Sequence, residues 1–264
     1  MTEPTRSPIK DKPLRQPGQS LQEERAAIWA DKLEPWLMLG LFFGMLAAWE
    51  WFRYFNPTRV SPWFFTVLAV GVVAFAAWRV QRLRPRLRAL RQGIEGEKAV
   101  GQFLERLREQ GYQVFHDLVG EGFNVDHVLI GPAGVFTIET KTWSKPHRGD
   151  ARIVYDGNTL TVAGRVPDRD PLAQARAQAG WLRSLLSEST GRRIEVQPVV
   201  VFPGWFVEAA SGAQRAVWVM EPKGLPAFLK NQPRRLAAED VTLAAYHLAR
   251  HVRSGERERP ATAT

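Results

Sequence analysis

The chain of 264 residues contains no cysteine. It can therefore form neither a disulfide framework nor a thiolate metal site, and a reducing compartment is compatible with its composition. The sequence also has no internal repeat, no glycine-rich loop of the G-x-x-x-x-G-K-[ST] kind and no cluster of His and Cys with metal-ligand spacing. These absences argue against solenoid proteins, P-loop nucleotide hydrolases and zinc modules.

Acidic residues are missing from one short stretch, which accounts for most of the net charge of +9. Six arginines and no acid lie between residues 79 and 91, whereas residues 92–264 hold 22 basic and 20 acidic residues. A near-neutral region gains little from releasing counterions around DNA. We interpret the arginine run as an anchor at anionic lipid headgroups, with DNA contact as the alternative. Its anchoring members are Arg79, Arg82, Arg84, Arg86 and Arg88.

Two long apolar runs precede the arginines. Residues 35–55 contain only Glu50 and Arg53 as charges, and residues 61–80 contain none before the arginine run. Each run is long enough to cross a bilayer core, with Trp and Tyr near the ends as in an aromatic belt, although a buried helix is the alternative. Because Lys and Arg are concentrated outside the pair, we predict a two-pass anchor in the cell (inner) membrane. Both termini and the C-terminal domain are then cytoplasmic.

The stretch FNVDHVLIGPAGVFTIETKTW is predicted to form two strands joined by a turn at residues 131–134, because β-branched and aromatic runs flank Gly and Pro. Pairing that is symmetric about this turn places Val128 opposite Thr137. It also places Asp126 directly opposite Glu139.

Two facing carboxylates call for a partner, because like charges opposite each other destabilise a sheet by up to about 1 kcal/mol. Side chains alternate along a strand, so Lys141 shares a side with Glu139. Mg²⁺ prefers oxygen ligands and is commonly held by one or two carboxylates plus water and substrate phosphate. The pattern favours a Mg²⁺ (or Mn²⁺) site for phosphodiester hydrolysis, with Lys141 orienting a water. The alternative is a surface hairpin whose acids pair with Lys141 and solvent.

The hairpin, the preceding GIEGEKAVGQFL and the short HDL together resemble the NERD (nuclease-related domain) family, a branch of the restriction-endonuclease-like PD-(D/E)xK nucleases. The resemblance covers about residues 91–202. It implies an acid in the first helix, an Asp opening the second core strand and E-x-K on the third. The matching residues are Glu97, Asp126, Glu139 and Lys141, with the three acids as metal ligands and all four as catalytic residues.

Glu97 lies in a helix that the sequence predicts for residues 94–110, three residues before Val100 on its apolar stripe. A carboxylate on the buried side of a helix needs a partner, and a shared metal ion would provide one. The alternative is an acid favoured by the helix dipole in the first turn. Glu95 is expected to face outward.

His116 and Gln174 are weaker candidates for the site. His116 lies near the end of the first core strand, where it could assist near the metal or have a structural role only. Gln174 lies in a helix predicted for residues 170–188 and resembles a glutamine that recurs in NERD relatives, with a solvated position as the alternative. His127 alternates away from Asp126 and is expected on the opposite side of the sheet.

These patterns predict an α/β protein with a restriction-endonuclease-like mixed central sheet flanked by helices, preceded by a two-helix transmembrane hairpin. The predicted regions are a flexible tail at 1–33 that could contain a short helix from Leu21 to Lys32, two transmembrane helices within 34–80 (about 35–55 and 61–80), an arginine-rich linker at 81–91, a nuclease-like domain at 92–254 and a disordered tail at 255–264. The predicted function is Mg²⁺-dependent DNA hydrolysis at the membrane. The alternative is a catalytically silent module that binds nucleic acid or protein there.

Overall fold

The computed structural model describes residues 14–56, 63–120, 122–146 and 151–258. Most of the tail predicted for residues 1–33 is therefore described from Leu14 onward, and residues 1–13 and 259–264 lie outside the described ranges. The chain divides into two compact units. The described residues within 20–92 form one, here called the helical unit; those from 14 to 19 and from 93 onward form the other, the α/β unit.

The helical unit is helical almost throughout the described residues, including the segment where a short helix was expected within the predicted tail. It contains α1 (Gln19–Ile28), a π-helical turn (Trp29–Leu33), α2 (Glu34–Phe55) and the first part of α3 (Trp63–Glu105). The arginine-rich segment predicted as a linker continues α3, with Pro85 inside the helix. Leu, Arg, Gln and Ala are good helix formers, which favours an unbroken helix through this segment. The Trp51 indole donates to Thr66 Oγ1 at 2.8 Å and joins α2 to α3.

Two helical stretches, Gln19–Phe55 and Trp63–Gln110, are candidates for membrane spans by length and composition. Only 17% and 11% of the residues in their apolar windows are buried. A core helix of a soluble domain would have most of its apolar residues covered. The helical unit therefore presents a largely exposed apolar surface.

The α/β unit contains two sheets. Its strands are β1 (Gln113–Val119), β2 (Asn124–Gly131), β3 (Gly134–Thr140), β4 (Arg152–Tyr155), β5 (Leu160–Val162), β6 (Val196–Val201), β7 (Phe206–Ala209) and β8 (Trp218–Met220). The larger sheet has the order β1-β2-β3-β6-β8, and the smaller has the order β5-β4-β7. In the larger sheet β1, β2 and β3 are antiparallel neighbours, while β3, β6 and β8 run parallel.

Helices cover both faces of the larger sheet. They are the end of α3, α4 (Pro171–Thr190), α5 (Leu225–Lys230) and α6 (Ala238–Glu258). The C-terminal part of α3 and α5 pack on one face, and α4 and α6 pack on the other. Asp170 caps α4 by accepting from the Leu172 N–H at 2.8 Å. A mixed sheet flanked by helices confirms the predicted α/β class.

The register predicted for the β2–β3 hairpin is confirmed. Val128 pairs with Thr137, and Gly131 pairs with Gly134 across a turn of Pro132 and Ala133. Gly134 has a φ of 130°, a conformation that favours glycine. Local turn chemistry therefore sets the alignment of every residue that follows on both strands.

Candidate active site

The strands β2 and β3 separate where their two acids would face each other. The last pair of their ladder joins His127 and Ile138, so Asp126 and Glu139 come next in register. Asp126 Oδ2 instead accepts a hydrogen bond of 2.7 Å from the Thr140 N–H. Like charges oppose continued pairing at this position. The result is a strand end where an acid side chain, and not a backbone carbonyl, takes up the neighbouring N–H.

Both carboxylate oxygens of Glu139 are held, and the side chain is buried. Oε1 accepts from Lys141 Nζ at 2.6 Å, and Oε2 accepts from Gln178 Nε2 at 2.6 Å. Lys141 Nζ also donates to Gln174 Oε1 at 2.9 Å. Lys141 follows the last residue of β3, yet it meets Glu139 on the side that the strand alternation predicts.

Helix α4 contributes two glutamines spaced one turn apart. Gln174 contacts Lys141, while Gln178 bridges Glu139 and the Asn124 carbonyl, the latter at 2.7 Å. Gln174 was predicted from the sequence, whereas Gln178 was not. The available signal was the spacing of four residues, which places both side chains on one face of the helix.

Glu97 enters the same region from α3. It is 8% exposed and accepts a hydrogen bond from the Gly18 backbone. Burial, followed by the nearby Asp117 and Glu139 carboxylates, raises the pKa of Glu97 to about 8. Glu95 is exposed, as predicted.

Asp126 experiences the same electrostatic conditions. Burial is the largest cause that raises its pKa well above the usual value of 3.8, followed by the charges of Glu139 and Glu97. The Thr140 N–H and the Lys141 ammonium act in the opposite direction. The three predicted acids therefore lie close enough to disfavour one another's ionisation.

A comparison with protein families covers this part of the chain. Residues 92–203 match the family model NERD, the nuclease-related domain. This match supports the resemblance to NERD, the nuclease-related domain, that the sequence motifs gave. No curated protein and no solved structure matches the chain significantly.

The NERD region offers oxygen donors for a cation, but its side chains do not form a complete coordination shell. Within the described ranges, no group of three or more His, Asp or Glu side chains is arranged so that it could hold a metal ion. Lys141 and Gln178 occupy the oxygens of Glu139, which is one physical reason. Mg²⁺ needs only one or two protein carboxylates, because water and substrate oxygens complete its shell. Asp126 and Glu139 supply such a pair.

Two observations fit a cation between these donors. Glu97 and Asp126 both resist ionisation, and a nearby cation would relieve this. The buried Gln178 Oε1 has no hydrogen-bond partner within the described part of the chain. A buried polar atom of this kind is costly unless something else satisfies it. The donor chemistry of the NERD region therefore fits a hard divalent cation.

His116 has a different set of partners. Its Nε2 lies 2.8 Å from Glu105 Oε1, and its Nδ1 lies 2.9 Å from Nδ1 of His127. Burial lowers the pKa of His127 well below its usual value, with the neighbouring His116 adding to the effect. In the described ranges, the hydrogen bonds of His116 lead to Glu105 and His127 and to none of the three acids.

A buried ion pair borders the acids of the NERD region. Arg15 Nε donates to Asp117 Oδ2 at 2.7 Å, and an Arg15 terminal nitrogen lies 2.7 Å from the same oxygen. Asp117 has a φ of 51°, a conformation that Asp adopts more readily than most residues. Neither residue was predicted for the site, because no periodic pattern connects positions 15 and 117.

The raised pKa of Glu97 predicts that the metal-free protein loses stability as the pH rises. Below about pH 4.5 Glu97 is protonated in both folded and unfolded chains; between there and about pH 8 only the folded chain keeps the proton. Stability should fall across this range by an amount on the order of a few kcal/mol and then level off. The Glu97→Gln variant should show a shallower decline: Asp126 still lowers stability as the pH rises, whereas the lowered pKa values of His116 and His127 act in the opposite direction. Thermal unfolding of the full chain in detergent and chelator, from pH 5 to pH 8, measures this.

Glu95→Gln is the matched control, since this exposed residue lies in the same helix. It should reproduce the pH dependence of the wild type. An equal slope in wild type and Glu97→Gln would contradict the prediction.

Proposed function

We propose that the chain is a membrane-anchored, Mg²⁺-dependent nuclease that hydrolyses DNA phosphodiester bonds on the cytoplasmic side. One observation carries the proposal: within the matched NERD region, Asp126, Glu139 and Lys141 come together where β2 and β3 separate. We also propose that the fold is restriction-endonuclease-like. The acid on the second strand and E-x-K at the end of the third support this relationship.

The charges around the site support a divalent cofactor. The contacts described above bring together four acids, Glu97, Asp117, Asp126 and Glu139, with two cations, Lys141 and Arg15. If all six groups were ionised, the acids would exceed the cations by two negative charges. We propose that Asp126 and Glu139 hold Mg²⁺ or Mn²⁺, with Glu97 as the third acid. When bound, such an ion lowers the pKa of a coordinated water and offsets negative charge on the phosphate.

The side chains then have separate tasks. The Thr140 N–H orients Asp126, and Gln178 fixes the Glu139 carboxylate in one orientation. Lys141, held between Glu139 and Gln174, keeps its ammonium group in the site. From there it can position the attacking water and stabilise charge that develops on a phosphate oxygen.

The exposed apolar surface of the helical unit supports the membrane anchor. Large apolar side chains on α2 and α3 are more than half exposed; they include Leu41, Phe42, Met45, Trp49, Phe64, Val67 and Val70. So many exposed large apolar side chains are unusual on a soluble monomer and suit contact with lipid.

The arginine run follows this apolar surface along α3. The Arg82 guanidinium lies 4.6 Å from the ring centroid of Trp78, and that of Arg79 lies 5.6 Å from the ring of Trp36. Paired Arg and Trp side chains are typical of the interface between lipid tails and headgroups. We propose that Arg79, Arg82, Arg84, Arg86 and Arg88 anchor the helices on the cytoplasmic side.

Cleavage of supercoiled plasmid by the full chain in detergent tests the function. We expect nicking with Mg²⁺ or Mn²⁺ and none with chelator. Asp126→Asn should lower the rate at least about 100-fold, because it removes one of the two charged oxygen donors. Asp168→Asn, at an exposed position in the same unit, should cleave like the wild type.

Equal cleavage by wild type and Asp126→Asn would point to a contaminating enzyme and reject the proposal. Metal-independent DNA binding without cleavage would favour the silent binding module. Running single-stranded DNA and RNA in parallel shows which nucleic acid the site accepts.

A further inference from the structure

A short segment ahead of the helical unit packs into the α/β unit. Residues 14–19, here called the N-terminal strap, belong to the same compact unit as residues 93 onward. The whole helical unit separates the two pieces in sequence. The strap also lies outside the NERD match, which begins at residue 92.

Contacts from three residues, Arg15, Pro17 and Gly18, fix the strap beside the acids. Arg15 bonds Asp117 Oδ2, and the Gly18 backbone donates to Glu97. Pro17 lies so close to α3 that a Cβ atom added to Gly101 would be 2.9 Å from the Pro17 Cβ. The strap therefore touches one predicted site residue directly and a second acid next to it.

The Arg15–Asp117 ion pair is buried on both sides. Arg15 is 5% exposed and Asp117 is 2% exposed. Burying a guanidinium and a carboxylate is unfavourable unless they are paired with good geometry, and removal of one partner leaves a charge in a poor environment. Because Arg15 is buried, its effect on a nucleic-acid substrate must pass through other residues.

We propose that the strap is a functional part of the active site and that Arg15 is its positioning residue. Resting on the nuclease function proposed above, this inference assigns Arg15 the task of anchoring the strap to Asp117. The Gly18 peptide then holds the Glu97 carboxylate among the other acids. A domain cut at the start of the NERD match would lack this support.

Kinetics of the full chain in detergent test the role of Arg15. Arg15→Ala should lower kcat for plasmid cleavage at least about 10-fold and leave KM within about twofold, because the residue is buried and does not meet substrate. Arg15→Lys should recover part of the loss, since lysine keeps the charge without the two-nitrogen contact. Arg25→Ala, at an exposed position in α1, is the control and should match the wild type.

Spin labelling tests strap docking independently of cleavage. The chain has no cysteine of its own, so nitroxide labels would attach only to introduced cysteines. We choose Gln16→Cys and Glu109→Cys, two exposed positions in the α/β unit. We expect one narrow distance distribution, which becomes broad when Arg15→Ala is added.

The two readouts separate two kinds of failure. A wild-type kcat in the Arg15→Ala variant would overturn the role of the strap. So would a broad spin-label distance distribution in the doubly labelled chain that keeps Arg15. A wild-type chain that never cleaves nucleic acid rejects the nuclease function, and a narrow, Arg15-dependent distribution would then still support the docked strap.

Discussion

Replacing Glu139 with glutamine should reduce metal-dependent DNA cleavage at least about 1,000-fold. Glutamine keeps the shape of the side chain but removes the charge that faces Lys141 Nζ at 2.6 Å. It would also remove one of the two proposed ligand carboxylates. Single-turnover cleavage of a labelled duplex, with enzyme in excess, measures the loss without interference from product release.

The same logic predicts how Glu139 and Lys141 combine. Lys141→Met should also lose most activity, and the double variant should be little worse than either single variant, because the two side chains act as a unit. Glu188→Gln, at an exposed position on α4, should retain wild-type activity. Residual cleavage within about 10-fold of wild type in Glu139→Gln would show that the reacting atoms lie elsewhere.

The second large effect concerns the backbone of α3. A Cβ atom at Gly96 would lie 2.7 Å from Thr142 Cβ and overlap the rest of that side chain. Because the clash involves an atom next to the backbone, rotation of Thr142 does not remove it. Gly96→Ala should therefore displace α3 where it carries Glu97. A misplacement of about 1 Å can cost about 100-fold in rate, and we expect a loss of that size in kcat.

Gly180→Ala is the matched control for Gly96→Ala. Gly180 is also a helical glycine, in α4, and an added Cβ there meets no atom within 4 Å. This variant should keep its activity and gain up to about 1 kcal/mol of stability from the better helix former. Thermal unfolding of both variants distinguishes a local displacement from general unfolding. Equal activity of Gly96→Ala and wild type would contradict the proposed position of Glu97.

Features set by local chemistry were predictable from the sequence. The turn at Pro132 and Ala133 fixes the strand register, because flanking glycines leave few alternative loops. Helical periodicity placed Glu97 on the buried side and Glu95 on the exposed side, as the structure has them. Strand alternation brought Lys141 to Glu139 for the same reason.

Features that depend on distant segments were not predictable from these patterns. Arg15 and Asp117 are 102 residues apart in sequence, and no periodicity relates them. Gln178 is a polar residue on a mostly apolar helix face, and its partner comes from another element. The strand β7 joins β4 in the smaller sheet, a pairing that depends on how the chain returns after β6.

The separation of His116 from the acids has a similar origin. Its nitrogens face Glu105 at the end of α3 and His127 on the neighbouring strand. Sequence proximity to Asp117 gave no information on this, since a φ of 51° at Asp117 interrupts the regular alternation of β1.

Under the membrane anchor proposed above, the N-terminal strap constrains how the chain can be inserted and folded. The strap and the residues from 93 onward form one folded unit, although the helical unit lies between them in sequence. Both parts must therefore be in the same compartment. The intervening segment can then traverse a bilayer only an even number of times, so a single-pass arrangement is incompatible with this fold. During synthesis, Arg15 leaves the ribosome long before Asp117, so with the proposed hairpin the acid site would close only after the chain had returned to its starting side.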